Sequence, residues 1–140
     1  MFRVERYHDI CCGHRIVGHE GKCAWLHGHN YRITFQLQSK YVNDMGIVID
    51  FSEMKQIFCD WLDKEFDHRF LVWDKDPLLP QLQEICDGIR VVPFNPTAEN
   101  LAKYLVEEFN PPLLEIKGLI LKQVTVEETN KCRATYIHTK

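Results

Sequence analysis

At 140 residues, with 45% hydrophobic and 26% charged side chains and a formal net charge of −3, the chain has the make-up of one globular domain, residues 1–140, large enough to bury a real core. No basic run offers a nucleic-acid or membrane surface, no apolar run is long enough to span a bilayer, and Met1 to Arg6 lack the apolar segment of a signal peptide. These features predict a cytoplasmic protein whose six cysteines, with Cys11 and Cys12 adjacent, are free thiols rather than a disulfide framework.

Residues 2–16 read as a first strand whose even phase, Phe2, Val4, Arg6, His8, Ile10, Cys12, His14 and Ile16, is the core face. Residues 17–26 hold two glycines in a polar setting and predict a loop, with Cys23 on it or at its exit. A second strand runs from about His27 to Val42, where Tyr31, Ile33, Phe35 and Leu37 alternate with Arg32, Thr34, Gln36 and Gln38. Asn43 to Gly46 is a turn in which the glycine supplies a positive φ, and residues 46–49 return as a short extended piece. Asp50 then caps a helix, with Glu53 completing a capping box and Ile49 and Met54 forming a hydrophobic staple. Met54, Ile57, Phe58, Trp61 and Leu62 recur at helical spacing and carry this helix to about Glu65.

Residues 66–96 are less regular and hold four of the six prolines, Pro77, Pro80, Pro93 and Pro96. A short helix over Leu79 to Cys86, ended by Asp87-Gly88, and a short strand over Ile89 to Val92 are expected there. A second long helix follows the N-cap Thr97, with Glu99 favoured in its first turn by the helix dipole and Leu101, Tyr104, Leu105 and Phe109 on its inner face. Asn110-Pro111-Pro112 stops it, and Gly118 to Thr129 and Lys131 to His138 are two closing strands. The order strand, strand, helix, irregular region, helix, strand, strand predicts an α+β fold on an antiparallel sheet.

The candidate chemistry converges on Cys23-Ala24-Trp25-Leu26-His27-Gly28-His29. In an extended strand His27 and His29 point to one face, roughly 7 Å apart along the chain, and His14 ends the core face of the first strand. Three neutral imidazoles leave a fourth tetrahedral position for water or substrate, the pattern of catalytic zinc. The same residues also fit a closed structural site with Cys23 as fourth ligand, or ordinary strand histidines. His8 and His19 are expected at the surface, and Cys11 and Cys12 as one partly exposed and one packed thiol. Beside a dication, Cys23 would have a lowered pKa and act as base or nucleophile. Asp67-His68 has the form of an orienting carboxylate beside a proton carrier, although such pairs are common in loops. Glu128 shares a strand phase with Val124 and Val126, and a carboxylate ending an apolar face is costly unless paired. It either receives two donors from a ligand ring, such as an amino-pyrimidine edge, or ends in a salt bridge or in water.

Five motifs, in order, resemble the 6-pyruvoyl-tetrahydropterin synthase and 6-carboxytetrahydropterin synthase superfamily: Cys23-x-x-x-His27-Gly28-His29-Asn30-Tyr31, Gly46-Ile47-Val48-Ile49-Asp50-Phe51, Asp67-His68, Pro96-Thr97-Ala98-Glu99-Asn100-Leu101 and Val126-Glu127-Glu128-Thr129. The resemblance implies the tunnelling fold, a four-stranded antiparallel sheet with two helices packed on one face, assembled as a homohexamer (a dimer of trimers) with active sites between subunits. It implies Zn2+ on His14, His27 and His29, Cys23 as proton acceptor, Asp67 and His68 as a relay, Glu128 as the pterin anchor, and Thr97 and Glu99 reaching a neighbouring subunit's pocket. Where the family has Phe-x-Ala-Ala-His this chain has Ile10-Cys11-Cys12-Gly13-His14, so the histidine is kept and its supporting residues differ. The three-residue spacing between Cys23 and His27 resembles that of bacterial 6-carboxytetrahydropterin synthases of the queuosine pathway. It implies a lyase converting 7,8-dihydroneopterin triphosphate to 6-carboxy-5,6,7,8-tetrahydropterin, acetaldehyde and triphosphate. A 6-pyruvoyl-tetrahydropterin synthase, an aldolase-like cleavage and a non-catalytic zinc-stabilised pterin-binding module are the other outcomes the same residues allow.

Overall fold

The structure is a computed structural model and describes residues 1–139. Strands β1 (Phe2–His14) and β2 (His27–Ser39) form a long antiparallel pair that runs in unbroken register from Phe2 opposite Ser39 to His14 opposite His27. In β2 Tyr31, Ile33, Phe35 and Leu37 are almost fully buried, as the alternation predicts, but Gln36 of the opposite phase is buried as well. The even phase of β1 turns inward from Ile10 through Cys12 to His14, so the last inward residue is an imidazole.

Both strands stop short of their expected ends, for local reasons. Ile16 leaves β1 because its amide donates to the Cys23 carbonyl at 2.7 Å, closing the loop. After β2 the Ser39 hydroxyl accepts from the Tyr41 amide and donates to the Tyr41 carbonyl, a side-chain turn that competes with strand pairing.

Helix α1 spans 51–65 as α-helical Phe51–Met54, a π-helical turn Lys55–Cys59 and α-helical Asp60–Glu65. Asp50 caps it by accepting from the Ser52 amide and hydroxyl. The expected capping box is not formed, because the Glu53 carboxylate is drawn 2.9 Å from Lys117 Nζ. Strand β3 (Arg69–Trp73), helix α2 (Leu79–Ile85) and strand β4 (Ile89–Val92) follow. Helix α3 covers 98–109, α-helical over Ala98–Tyr104 and π-helical over Leu105–Phe109, with the Thr97 hydroxyl accepting from the Asn100 amide as its cap. A short helix α4 (Pro112–Ile116) was not expected; Pro112 does not end helical structure here but opens a new helix at its first position, where its missing N–H costs nothing. Strands β5 (Ile120–Thr129) and β6 (Cys132–Ile137) close the chain.

The expectation of a four-stranded antiparallel sheet is therefore corrected. The sheet has six strands in the order β4-β3-β1-β2-β5-β6 and is mixed, because β3 pairs parallel with both β1 and β4. Parallel neighbours need crossovers, and α1 and α2 provide them. β3 was missed because Phe70-Leu71-Val72-Trp73 is a continuous apolar run, as buried parallel strands are, without period-two alternation.

Helices α1 and α3 cover the inward face of β1, β2 and β5. Phe35 of β2 stacks on Phe58 of α1, with ring centroids 4.3 Å apart, and Phe109 of α3 packs on Phe58 and Trp61. The buried residues change phase from Leu119, just before β5, and Leu121 to Val124 and Val126, because the pairing of β5 with β2 slips between Gln36 and Leu37. A second irregularity lies between Glu127 and Thr129, opposite Arg133 and Cys132, and leaves Glu128 as the unpaired residue of a bulge. Among the described residues no helix is long and apolar enough to cross a membrane.

Candidate functional site

The β1–β2 register builds the site. It sets His14 directly opposite His27 and Cys12 opposite His29, so three imidazoles share the inward face at one end of the sheet. Each offers one ligand nitrogen, and these nitrogens all lie within 4.8 Å of one another. The rings are tilted or edge-on to each other, with centroids 4.5 to 5.1 Å apart. The ring of His14 is buried, and its Nδ1 lies 2.7 Å from the Pro96 carbonyl just before α3. His27 Nδ1 lies 2.7 Å from the carbonyl of Trp25. A carbonyl only accepts, so both rings carry a proton on Nδ1 and leave Nε2 as the nitrogen that can act as a ligand. Backbone carbonyls that fix the tautomer in this way are the usual support of metal-binding histidines. Burial, opposed by the Pro96 bond, lowers the His14 pKa to about 4, and the ring is neutral at physiological pH as a ligand must be. His29 is also lowered, by burial first, against the pull of Glu128, whose Oε2 lies 3.7 Å from His29 Nε2. The Tyr31 hydroxyl, next along β2, lies 3.1 Å and 3.3 Å from the two nitrogens of His14. This donor set, three imidazole nitrogens with two rings oriented by carbonyls, suits zinc.

Two depressions border the histidines. One, a cavity of about 360 Å³, is lined by His14, Cys23, Thr97, Glu99 and Glu128, together with His19, Cys132 and Arg133. The chain therefore brings Cys23, Thr97, Glu99 and Glu128 to the same cavity as His14 within one subunit. Cys23 lies in a short 3-10 turn, Lys22–Ala24, is exposed, and stands outside the group of metal-ligand atoms. Its loop is held by Arg15, whose guanidinium donates to the Ala24 carbonyl and pairs with both oxygens of the buried Asp76. Glu128 sits at the bulge and reaches the histidines, with Oε2 3.7 Å from His29 Nε2.

Asp67 and His68 are not in that cavity. His68 lines a second depression, about 470 Å³, with His27, Gly28, His29 and Phe70, and Asp67 and His68 together line a further one with Asp9, Cys11 and Arg32. Asp67 Oδ2 lies 2.9 Å from His68 Nδ1, and Asp67 Oδ1 accepts from the Cys11 amide at 2.9 Å. Burial works against the Asp67 carboxylate, but the bonds from Cys11 and His68 outweigh it and hold its pKa below the ordinary value. His68 has φ +61°, the one non-glycine positive φ among the described residues, and its amide donates to the Cys11 carbonyl at 2.7 Å.

Of the two histidines expected at the surface, His8 bonds Asp63, whereas His19 is exposed yet lines the cavity with His14 and Cys23. Cys132 and Arg133 had no sequence signal, and His19, expected only at the surface, is brought in by loop closure. Cys12 is buried and Cys11 exposed, as expected, and burial pushes the Cys12 thiol up to about 12.

The sequence profile of a family described as 6-pyruvoyl tetrahydropterin synthase matches residues 3–139. A protein of Rickettsia bellii named 6-carboxy-5,6,7,8-tetrahydropterin synthase is 34% identical over 134 residues, which cover 94% of this chain and 97% of that protein. One of Halobacterium salinarum, named probable 6-carboxy-5,6,7,8-tetrahydropterin synthase, is 38% identical over 122 residues, covering 86% and 76%. Among solved structures, an uncharacterized protein, WS1659 of Wolinella succinogenes, superposes with a TM-score of 0.88 at 25% identity over 98% of both chains. The 6-pyruvoyl tetrahydropterin synthase of Caenorhabditis elegans superposes with a TM-score of 0.69 at 25% identity, covering 99% of this chain and 96% of that one.

Proposed function

Since the chain belongs to the 6-pyruvoyl tetrahydropterin synthase family, we propose that it is a zinc-dependent 6-carboxy-5,6,7,8-tetrahydropterin synthase. In this reading it is a carbon–carbon lyase that converts 7,8-dihydroneopterin triphosphate and one water to 6-carboxy-5,6,7,8-tetrahydropterin, acetaldehyde and triphosphate, toward queuosine and other 7-deazapurine precursors. The observation that carries the reading is the cluster of His14, His27 and His29 beside a cavity that also holds a thiol and a carboxylate. The names of the relatives favour the carboxy product.

His14, His27 and His29 would hold the zinc, which when bound supplies a Lewis acid toward the side-chain oxygens of the substrate and acidifies the adjacent C–H or O–H. Glu128 accepts two donors from the amino-pyrimidine edge of the pterin, a use that offsets the cost of a carboxylate at the end of an apolar face. Cys23 accepts a proton on the cavity side. Asp67 fixes the His68 ring with Nδ1 protonated, leaving Nε2 to take up or release a proton on the opposite side. Thr97 and Glu99 shape the cavity wall and approach the neighbouring subunit. The active form is a cytoplasmic homohexamer, in which other copies cover the free edges of β4 and β6.

Metal analysis of Cys23→Ala alongside a turnover assay tests this assignment. One zinc per chain retained with turnover lost supports it. Loss of zinc together with the fold would make Cys23 a structural ligand and remove the catalytic reading.

A further inference from the structure

Two glycines face each other across the β1–β2 pair, Gly13 opposite Gly28, next to the histidines. Neither has room for a side chain. A Cβ on Gly28 would lie 2.8 Å from the Cys12 carbonyl oxygen. A Cβ on Gly13 would lie 2.2 Å from Cδ2, 2.7 Å from Cε2 and 3.2 Å from Cγ of Phe70. The space above Gly13 is thus filled by the Phe70 ring. Phe70 belongs to β3, pairs in parallel with Gly13 on one side and with Ile89 on the other, and its amide donates to the Gly88 carbonyl at 3.0 Å. Its backbone is held on both sides.

Two residues before Phe70 stands His68, at a positive φ that non-glycine residues seldom adopt. Such a conformation persists only where its surroundings over-determine it. Here Cys11, two residues before Gly13, grips the pair with its amide on Asp67 Oδ1 and its carbonyl on the His68 amide. The β1 segment 11–13 therefore fixes the segment 67–70 at both ends, by hydrogen bonds at Cys11 and by the ring seated on Gly13.

We propose that Gly13 is a positioning residue for the Asp67–His68 pair: its missing side chain is the slot in which Phe70 locks the start of β3, and with it the strained His68, against β1. This rests on the reading of Asp67 and His68 as the proton relay. It also gives the departure from the family's alanine at this position a physical role, since the ring takes the place of the methyl group.

Installing that methyl group forces Phe70 Cδ2 from 2.2 Å to the 3.4 Å at which ordinary contact begins, a retreat of about 1.2 Å. A misplacement of about 1 Å in a reacting group costs up to about 100-fold in rate. The test is a cycle of Gly13→Ala, Phe70→Val and the double variant, with kcat and KM measured on dihydroneopterin triphosphate and a crystal structure of each protein. Valine removes the two colliding ring carbons and keeps strand propensity. Gly13→Ala is expected to lower kcat at least about tenfold with KM within about twofold. Phe70→Val, which leaves the slot empty, lowers kcat less, and the double variant exceeds Gly13→Ala. In the crystal the single variant Gly13→Ala loses the Cys11–Asp67 bond, and the double variant regains it.

Unchanged kcat in Gly13→Ala, no recovery in the double variant, or a Phe70 ring that swings aside while Asp67 and His68 stay in place would each overturn the proposal. Should Gly13→Ala not fold, the double variant must still fold and bring back the Cys11–Asp67 bond; failure there overturns it too. A wild-type protein inert toward the substrate defeats the functional reading instead, and the crystal structures then decide the positioning claim by themselves.

Discussion

Removing the carboxylate of Asp76 should unfasten the loop that carries Cys23. The Asp76 side chain is only 1% exposed and that of Arg15 only 16%, and the pair is bidentate, with N–O distances of 2.8 Å and 2.9 Å. Asp76 also accepts from the Leu78 amide, and Arg15 donates to the Ala24 carbonyl beside Cys23. Deleting one partner of a buried pair costs about 3 to 5 kcal/mol, because the other charge is left buried and unpaired. Arg15 keeps its bond to Ala24 and is slightly exposed, which places Asp76→Ala near the lower end, about 3 kcal/mol. With an unfolding entropy of about 2.1 cal/mol/K per residue over 140 residues, that is a fall in Tm of about 10 °C. The Arg15 guanidinium beside it holds the Asp76 pKa below the ordinary carboxylate value. Its contribution is therefore complete above the unfolded pKa of about 3.9 and is lost as pH falls through the lower folded value, so the gap in Tm between wild type and variant closes only in that acid range. Circular dichroism melts between pH 3 and pH 8 measure both effects. A gap below about 1 kcal/mol at neutral pH, or one that persists unchanged in acid, would refute the assignment of this pair as the anchor of the loop.

Phe35→Ala empties the place where β2 meets α1, since Phe35 is fully buried and stacked on Phe58, and should cost about 3 to 5 kcal/mol in a urea titration; a cost below about 1 kcal/mol would show that the stack carries little of the core. Light scattering should show a homo-oligomer, because β4 and β6 are the edge strands of the sheet, and the proposed function expects a hexamer; a stable, active monomer would contradict this.

The parts of the fold legible in sequence are those whose side chains meet a single face. The alternation of residue types from Tyr31 to Leu37 is readable because helices cover one face of β2, although Gln36 on the other face is buried too, and the Asp50 and Thr97 caps are readable because a short polar side chain there satisfies a free helix amide. The histidine cluster follows from strand phase together with antiparallel pairing: phase puts His14 and His27 on the inward face, and the β1–β2 register sets them opposite each other. Parallel pairing was hidden because the burial of β3 erases alternation. The bulge at Glu128 was hidden because an extra residue leaves no mark in the pattern of residue types, although the phase shared with Val126 still sent its carboxylate inward. Backbone carbonyls have no sequence signature, so Pro96 and Trp25 could not be foreseen as the acceptors that fix the two imidazoles. Nor could Arg15 be matched with Asp76, 61 residues away.

The most direct test of the account is mass spectrometry of the products formed from 7,8-dihydroneopterin triphosphate by the zinc-loaded wild-type protein under reducing conditions. The account requires 6-carboxy-5,6,7,8-tetrahydropterin and acetaldehyde to accumulate in equal amounts with release of triphosphate. Accumulation of 6-pyruvoyl-tetrahydropterin without acetaldehyde, or no turnover at all, would contradict it.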